Sequence, residues 1–219
     1  MRKRPDLYTN YKSESAIFST LTQKAWFTVL VFTSLLLPFY LNNYWMLLVT
    51  TSLLIAIASW GLNIVSGMAG QINLAHGVFV GIGAYTSAVI GGVATSSVIG
   101  FELDMVFWLP ISGIVSALIG IIISPVSARL KGLNLGLVTL AIVFIGSHFF
   151  SNLKFITGGA GLGRKAAKLK FLGVDLDSGL TIGNLILEKN DVIYYFSLIL
   201  CILLGLSLIH ISEPTRLSV

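Results

Sequence analysis

Residues 60–86 read WGLNIVSGMAGQINLAHGVFVGIGAYT. No Lys, Arg, Asp or Glu interrupts this stretch, yet it holds Asn63, Gln71, Asn73 and His76. Six glycines stand among them: Gly61, Gly67, Gly70, Gly77, Gly81 and Gly83. Apolar sequence flanks the stretch on both sides. Amides and an imidazole in such a setting are costly in lipid unless they face protein or a water-filled path. The stretch is therefore the first candidate for function.

The surrounding composition sets the class. From Ala25 to Phe101 there is no formal charge over 77 residues. A bilayer core takes about 20 apolar residues per crossing, so this run alone has room for three. The 219-residue chain is 55% hydrophobic and only 11% charged, with a mean hydropathy of +0.90. Soluble domains carry about 25% charged residues. The expected fold class is all-α: a polytopic integral membrane protein of about six transmembrane helices, with a glycine-broken segment between the second and third. The net charge of +5 does not indicate nucleic acid, because the basic residues sit mostly at the ends of apolar runs, as membrane-flanking charges do. The single Cys201 rules out an intramolecular disulfide and a zinc cluster; it reads as a small apolar residue. No cleaved signal peptide is expected, since about 24 polar residues precede the first apolar run.

In order, residues 1–24 form a basic tail, read as cytoplasmic. Spans are expected at about Ala25–Leu41, Tyr44–Val65, Val78–Ser96, Val106–Ser124 (stopped by Pro125), Leu133–Phe150 and Val192–Ile209. Small or polar residues recur at helical spacing in three of them: Ser52, Ala56, Ser59 and Asn63; Gly77, Gly81, Ala84, Ala88 and Gly92; Gly113, Ala117, Gly120 and Ser124. Such stripes let membrane helices pack closely. With the tail inside, the acidic turn at Glu102 and Asp104 falls outside and the basic turn at Arg129 and Lys131 inside, as the positive-inside rule prefers. The segment Ser151–Asp191 then lies outside, although it carries six basic residues against four acids; long loops count less in that rule. The domain reading is thus a tail at 1–24, a transmembrane domain at 25–209 and a tail at 210–219. The last is expected to be non-native, because Leu208–Leu217 resembles translated sequencing adapter.

Spacing yields no enzyme. Spans contain no paired carboxylates, and G-x-S-x-G, H-E-x-x-H and P-loop patterns are missing; no catalytic residue and no metal site is assigned. The glycine-rich run Gly158–Gly163 holds fragments like G-x-G-x-x-G without the strand and helix that would make it nucleotide-binding, and reads otherwise as an extracytoplasmic turn. His76 has two readings. It relays protons or contacts a solute, or it hydrogen-bonds Asn73 or backbone freed by Gly77. Gln71 and Asn73 divide the same way, by the logic of discontinuous transporter helices. Spacing leaves open whether 67–77 is re-entrant or a cytoplasmic-side loop.

Gly61–Thr86 closely resembles the signature of permease subunits of branched-chain amino-acid ABC importers, G-L-N-L-x-x-G-x-x-G-Q-x-S/N-L-G-H-A-x-F-x-G-I-G-A-Y. Two further matches follow in order: Arg129–Gly132 through Leu137–Ala141, and Ile156–Leu162, similar to L-T-G-G-x-x-G-L. The arrangement looks most like the M-type permease. Ala75-His76-Gly77 exchanges the usual Gly-His-Ala, and Asn134-Leu135-Gly136 replaces an aromatic-containing segment. The ATPase-gripping loop and last spans of the family have no counterpart here, which implies a C-terminally truncated fragment.

The resemblance implies a subunit of an ATP-driven importer in the bacterial-type inner membrane, working by alternating access. Its partners would be a second permease, two ATPase subunits that bind ATP and Mg, an extracytoplasmic substrate-binding protein and the lipid bilayer; this chain would hold no cofactor. Asn63, Gly67, Gly70, Gln71, Asn73, His76 and Gly77 would line the substrate path. Thr157, Gly158, Gly159 and Gly161 would lie in the outer loop near the binding protein. Two rivals are a related urea or short-amide importer and a membrane-embedded enzyme using His76 as base.

Overall fold

The computed structural model describes residues 21–159, 163–182 and 185–216. The chain divides at Leu48/Val49 into two units. The first holds α1 (Leu21–Tyr40) and the opening of α2 (Asn43–Asn63). α1 is apolar with no buried residue, and its Thr28 hydroxyl donates to the Lys24 carbonyl at 2.9 Å, keeping that polar group inside the helix. The rest of the expected N-terminal tail lies outside the described residues.

The second unit carries the remaining elements. α2 runs into one π-helical turn, Ile64–Met68. Then come α3 (His76–Gly91), α4 (Met105–Ala128), α5 (Leu133–Asn152), the single turn α6 (Lys154–Thr157) and α7 (Lys189–Arg216). Among the described residues, five helical stretches are long and apolar enough to cross a bilayer: 21–40, 43–68, 105–128, 133–152 and 189–210. The sixth apolar helix, α3, has 16 residues, about 24 Å at 1.5 Å per residue, short of a bilayer core of about 30 Å. The sequence suggested a third span of 78–96; the helix instead begins at His76 and stops at Gly91.

It stops there because the following chain takes its last carbonyls. The amides of Phe101, Leu103 and Glu102 donate to Val89, Ile90 and Gly92 at 3.0, 2.9 and 3.1 Å, and Lys168 N–H donates to Gly91 at 3.1 Å. Helix-terminal carbonyls in an apolar protein need such partners. The segments beyond α3 clamp further: Gly173 N–H donates to the Asp104 carboxylate at 3.0 Å, and Lys168 stands 3.8 Å from Glu102.

One further expectation is corrected. Pro125 does not end α4, which continues to Ala128 with Pro125 inside it; a proline removes one hydrogen bond near a helix end without forcing the last turn to unwind. The last apolar span lies at 189–210, close to the expected Val192–Ile209, and its helix α7 continues to Arg216. Unforeseen were two small antiparallel hairpins: β1 (Lys170–Phe171) with β2 (Val174–Asp175), and β3 (Leu180–Ile182) with β4 (Leu185–Leu187).

Packing centres on α3, which lies mainly against α4 and also touches α5 and α6. The small residues permit this. A Cβ on Gly81 would stand 2.8 Å from the Phe150 ring, and one on Gly146 would stand 2.6 Å from Val78. The α3 stripe therefore packs in part, through Gly81 and the buried Ala88, whereas nothing lies within 4 Å of a Cβ built on Gly77 or Gly113. On the outer surface, Ile122 and Phe144 are 74% and 69% exposed, as expected of side chains that face lipid.

Candidate functional site

Between the π turn and α3 the backbone leaves helical geometry for seven residues, Ala69–Ala75. The break is narrower than the 67–77 stretch suggested by the glycines. Gly70 begins it at φ +63°, a left-handed conformation that a side chain disfavours. The Ala69 and Gln71 amides still reach back to the Ile64 and Val65 carbonyls, both at 3.1 Å. Farther on, side chains take over from backbone. Asn73 Oδ1 accepts from the Ala75 amide at 3.0 Å, an Asx turn that leads into α3. Thr139 Oγ1 on α5 accepts from the Leu74 amide at 3.2 Å and donates to the Gly136 carbonyl at 2.9 Å.

This segment closes one side of a cavity of about 410 Å³. Gln71, Asn73 and His76 line it, opposite Ser116 and Ser124 of α4 and Thr139 of α5. Lining residues on α4 run from Ser116 to Ser127, about 16 Å along the helix at 1.5 Å per residue, and end beside the basic turn. The lining has amides, hydroxyls and an imidazole, and no formal charge. One hydroxyl is already committed, since Ser116 Oγ donates to the Phe79 carbonyl at 3.3 Å. His76 Nε2 is buried with no hydrogen-bond partner. The imidazole thus does not bond Asn73, whose oxygen is held by Ala75. A buried polar atom left unpaired costs about 1–3 kcal/mol.

The other residues singled out from sequence lie elsewhere. Asn63 is exposed and folds its amide over Gly67. Neither residue, nor Gly70, lines the cavity. Gly77 faces a second cavity of about 650 Å³ on another side of α3, with Tyr85, Ser147 and Gly159. Thr157 is buried, 2% exposed; its hydroxyl donates to the Phe150 carbonyl at 2.7 Å and accepts from the Gly159 amide at 3.1 Å. Gly158, at φ +80°, ends α6. A helical turn, not a strand, precedes these glycines, so the nucleotide-loop context is missing. Gly161 lies outside the described residues. Nearby, Arg164 Nη1 donates to the Ile156 carbonyl at 2.9 Å, and burial lowers the pKa of its guanidinium from the ordinary value. Among the described residues no group of three or more His, Cys, Asp or Glu could hold a metal ion.

Sequence reasoning passed over Thr139 and Ser116 as site residues. Their signal was a hydroxyl within an apolar helix, Thr139 also standing in the matched Leu137–Ala141 run, and the partner of each is set by tertiary packing.

A family model described as "Branched-chain amino acid transport system / permease component" matches residues 44–213. The chain belongs to this permease family. The match takes in the broken segment and every wall of the 410 Å³ cavity. Among curated relatives, the high-affinity branched-chain amino acid transport system permease protein LivM of Escherichia coli (strain K12) is 27% identical over 210 residues, covering 91% of this chain and 47% of the relative. The LivM protein of Salmonella typhimurium (strain LT2) is 28% identical over the same shares. The chain thus spans about half the length of the permeases it matches. No solved structure matches it.

Proposed function

We infer that this chain is part of a permease subunit that carries branched-chain amino acids through the inner membrane of a bacterial-type cell, driven by ATP. The observation that carries the reading is the coincidence of a neutral polar cavity with the family's matched region, at a helix broken where Gln71, Asn73 and His76 enter. A zwitterionic solute with an apolar side chain suits such a lining. Amides and hydroxyls meet its charged ends without the desolvation cost of a fixed charge, and Phe79 and Ile123 meet its side chain.

In this reading the segment 69–75 forms one side of the route, and opening of the cavity alternates between the two membrane faces. Asn63, Gly67 and Gly70 shape the break rather than touch the solute, and Gly77 borders the second cavity. The N-terminal tail and the Arg129–Lys131 turn are cytoplasmic, and the Thr157–Gly159 turn faces an extracytoplasmic binding protein. A second permease and two ATPase subunits complete the machine, with ATP and Mg held by the latter. No carboxylate lines the described cavity, which leaves His76 without the orienting partner that base catalysis uses.

The test is uptake of labelled leucine by the full-length complex in cells lacking other leucine importers. Saturable uptake, competed by isoleucine and valine but not by urea, is expected. His76→Ala and Gln71→Ala each raise the half-saturation concentration about threefold to tenfold, the loss of one buried hydrogen bond. Competition by urea, or unchanged kinetics in both variants, contradicts the reading.

A further inference from the structure

The V-T-L run of α5 has a physical role in the site. Thr139 is buried, 4% exposed. Its one hydroxyl hydrogen goes to the Gly136 carbonyl one turn back, a common back-bond of threonine in apolar helices. That commitment leaves the oxygen's lone pairs facing outward, and the Leu74 amide occupies one of them at 3.2 Å. A Cβ on Gly136 would stand in ordinary contact, 3.6 Å, with the Ile72 side chain, so the segment lies directly on α5 at this level. Leu74 stands between Asn73 and His76, two of the three polar cavity residues at the break, and the next amide, Ala75, is held by Asn73 itself. The tie to α5 is therefore the bond that sets the position of the break relative to the wall opposite it.

We propose that Thr139 is a positioning residue: by holding the Leu74 amide it fixes where Gln71, Asn73 and His76 stand in the cavity, and it makes a shift of α5 a shift of the site. α5 begins at Leu133, directly after the Arg129–Lys131 turn, so movement at that end reaches the segment through two turns of helix and one hydroxyl. The proposal rests on the transport reading for its kinetic consequence but not for its structural one.

The experiment compares Thr139→Val, which keeps volume and loses the hydroxyl, with Thr139→Ser, which keeps the hydroxyl, in the full-length permease with its partner subunits. Two quantities are read: leucine uptake per inserted transporter, and hydrogen–deuterium exchange of the backbone peptide covering residues 69–76. The valine variant is expected to raise the half-saturation concentration threefold to tenfold, with maximal uptake within about twofold. Its 69–76 amides exchange at least threefold faster, while α4 peptides are unchanged. The serine variant restores both. A merely structural role would lower the amount inserted and the maximal rate, leaving half-saturation alone. Should the valine variant fail to insert, Thr139→Ala is held to the same criteria. Unchanged exchange over 69–76, or a serine variant as impaired as valine, overturns the proposal. Absence of any leucine uptake by the wild type contradicts the transport reading instead, and exchange alone then decides the tie.

Discussion

The two ends of α3 are held in different ways. At its C-terminal end, backbone amides of 101–103 and of Lys168 satisfy the carbonyls of Val89 through Gly92. At its N-terminal end, the approach from Gly70 to Ala75 is fixed by two side chains, Asn73 and Thr139. A backbone ladder cannot be rearranged without unfolding the segments that form it, whereas a side-chain tie yields to a rotamer change. The polar cavity lies at the end held by side chains. Short, uncharged and packed against α4, α3 is anchored by backbone at its C-terminal end and tied by side chains at its N-terminal end, which is the asymmetry a moving site needs.

The largest expected effect breaks the anchored end. A Cβ on Gly100 would run into the backbone of Gly92, Val93 and Ala94, and backbone cannot step aside as a side chain can. Gly100→Val is expected to cost about 3 kcal/mol or more, read as loss of inserted protein or a lowered melting temperature in detergent. At the adjustable end, Gly70 has open space around it and only its dihedral angle is demanding. Gly70→Val should cost about 1–2 kcal/mol, with Gly70→Asn recovering much of it because asparagine tolerates the left-handed region. Melting curves of the three proteins check both values.

These two glycines also mark what could be read in advance. Six apolar runs, the acidic turn and a break near Gly70 were legible because charge and hydropathy are properties of the chain alone. The π turn at Ile64–Met68, the early end of α3 and the persistence of α4 through Pro125 were not. The end of α3 depends on chain beyond the helix, as when Phe101 caps Val89. For the site, the sequence pointed to the right stretch but could not sort its residues. Whether Gly77 faces the same side as His76 depends on the rotation of α3 after the break, and the structure puts the two on different cavities. Thr139 became visible only through the amide it holds.

Smaller effects sharpen the contrast. Asn73→Ala removes the Asx turn and should cost about 1 kcal/mol, seen as faster amide exchange at Ala75 with none at Leu103. Smallest of all is Glu102→Gln. The Lys168–Glu102 pair is long and both side chains are more than 40% exposed, so its loss should change stability by less than about 0.5 kcal/mol. A large effect there would mean that charge pairing, not backbone bonding, anchors the C-terminal end of α3.

The measurement closest to the central claim is solvent labelling of the cavity. Ser124→Cys, in a full-length complex with Cys201→Ser and every other cysteine replaced, puts one thiol on the wall facing the broken segment. A small water-soluble maleimide is expected to label it, and leucine under transport conditions should slow the labelling at least threefold while urea does not. A thiol that stays unlabelled in every state of the transporter, or that labels at one rate whether or not leucine is present, would contradict a solute route along this wall.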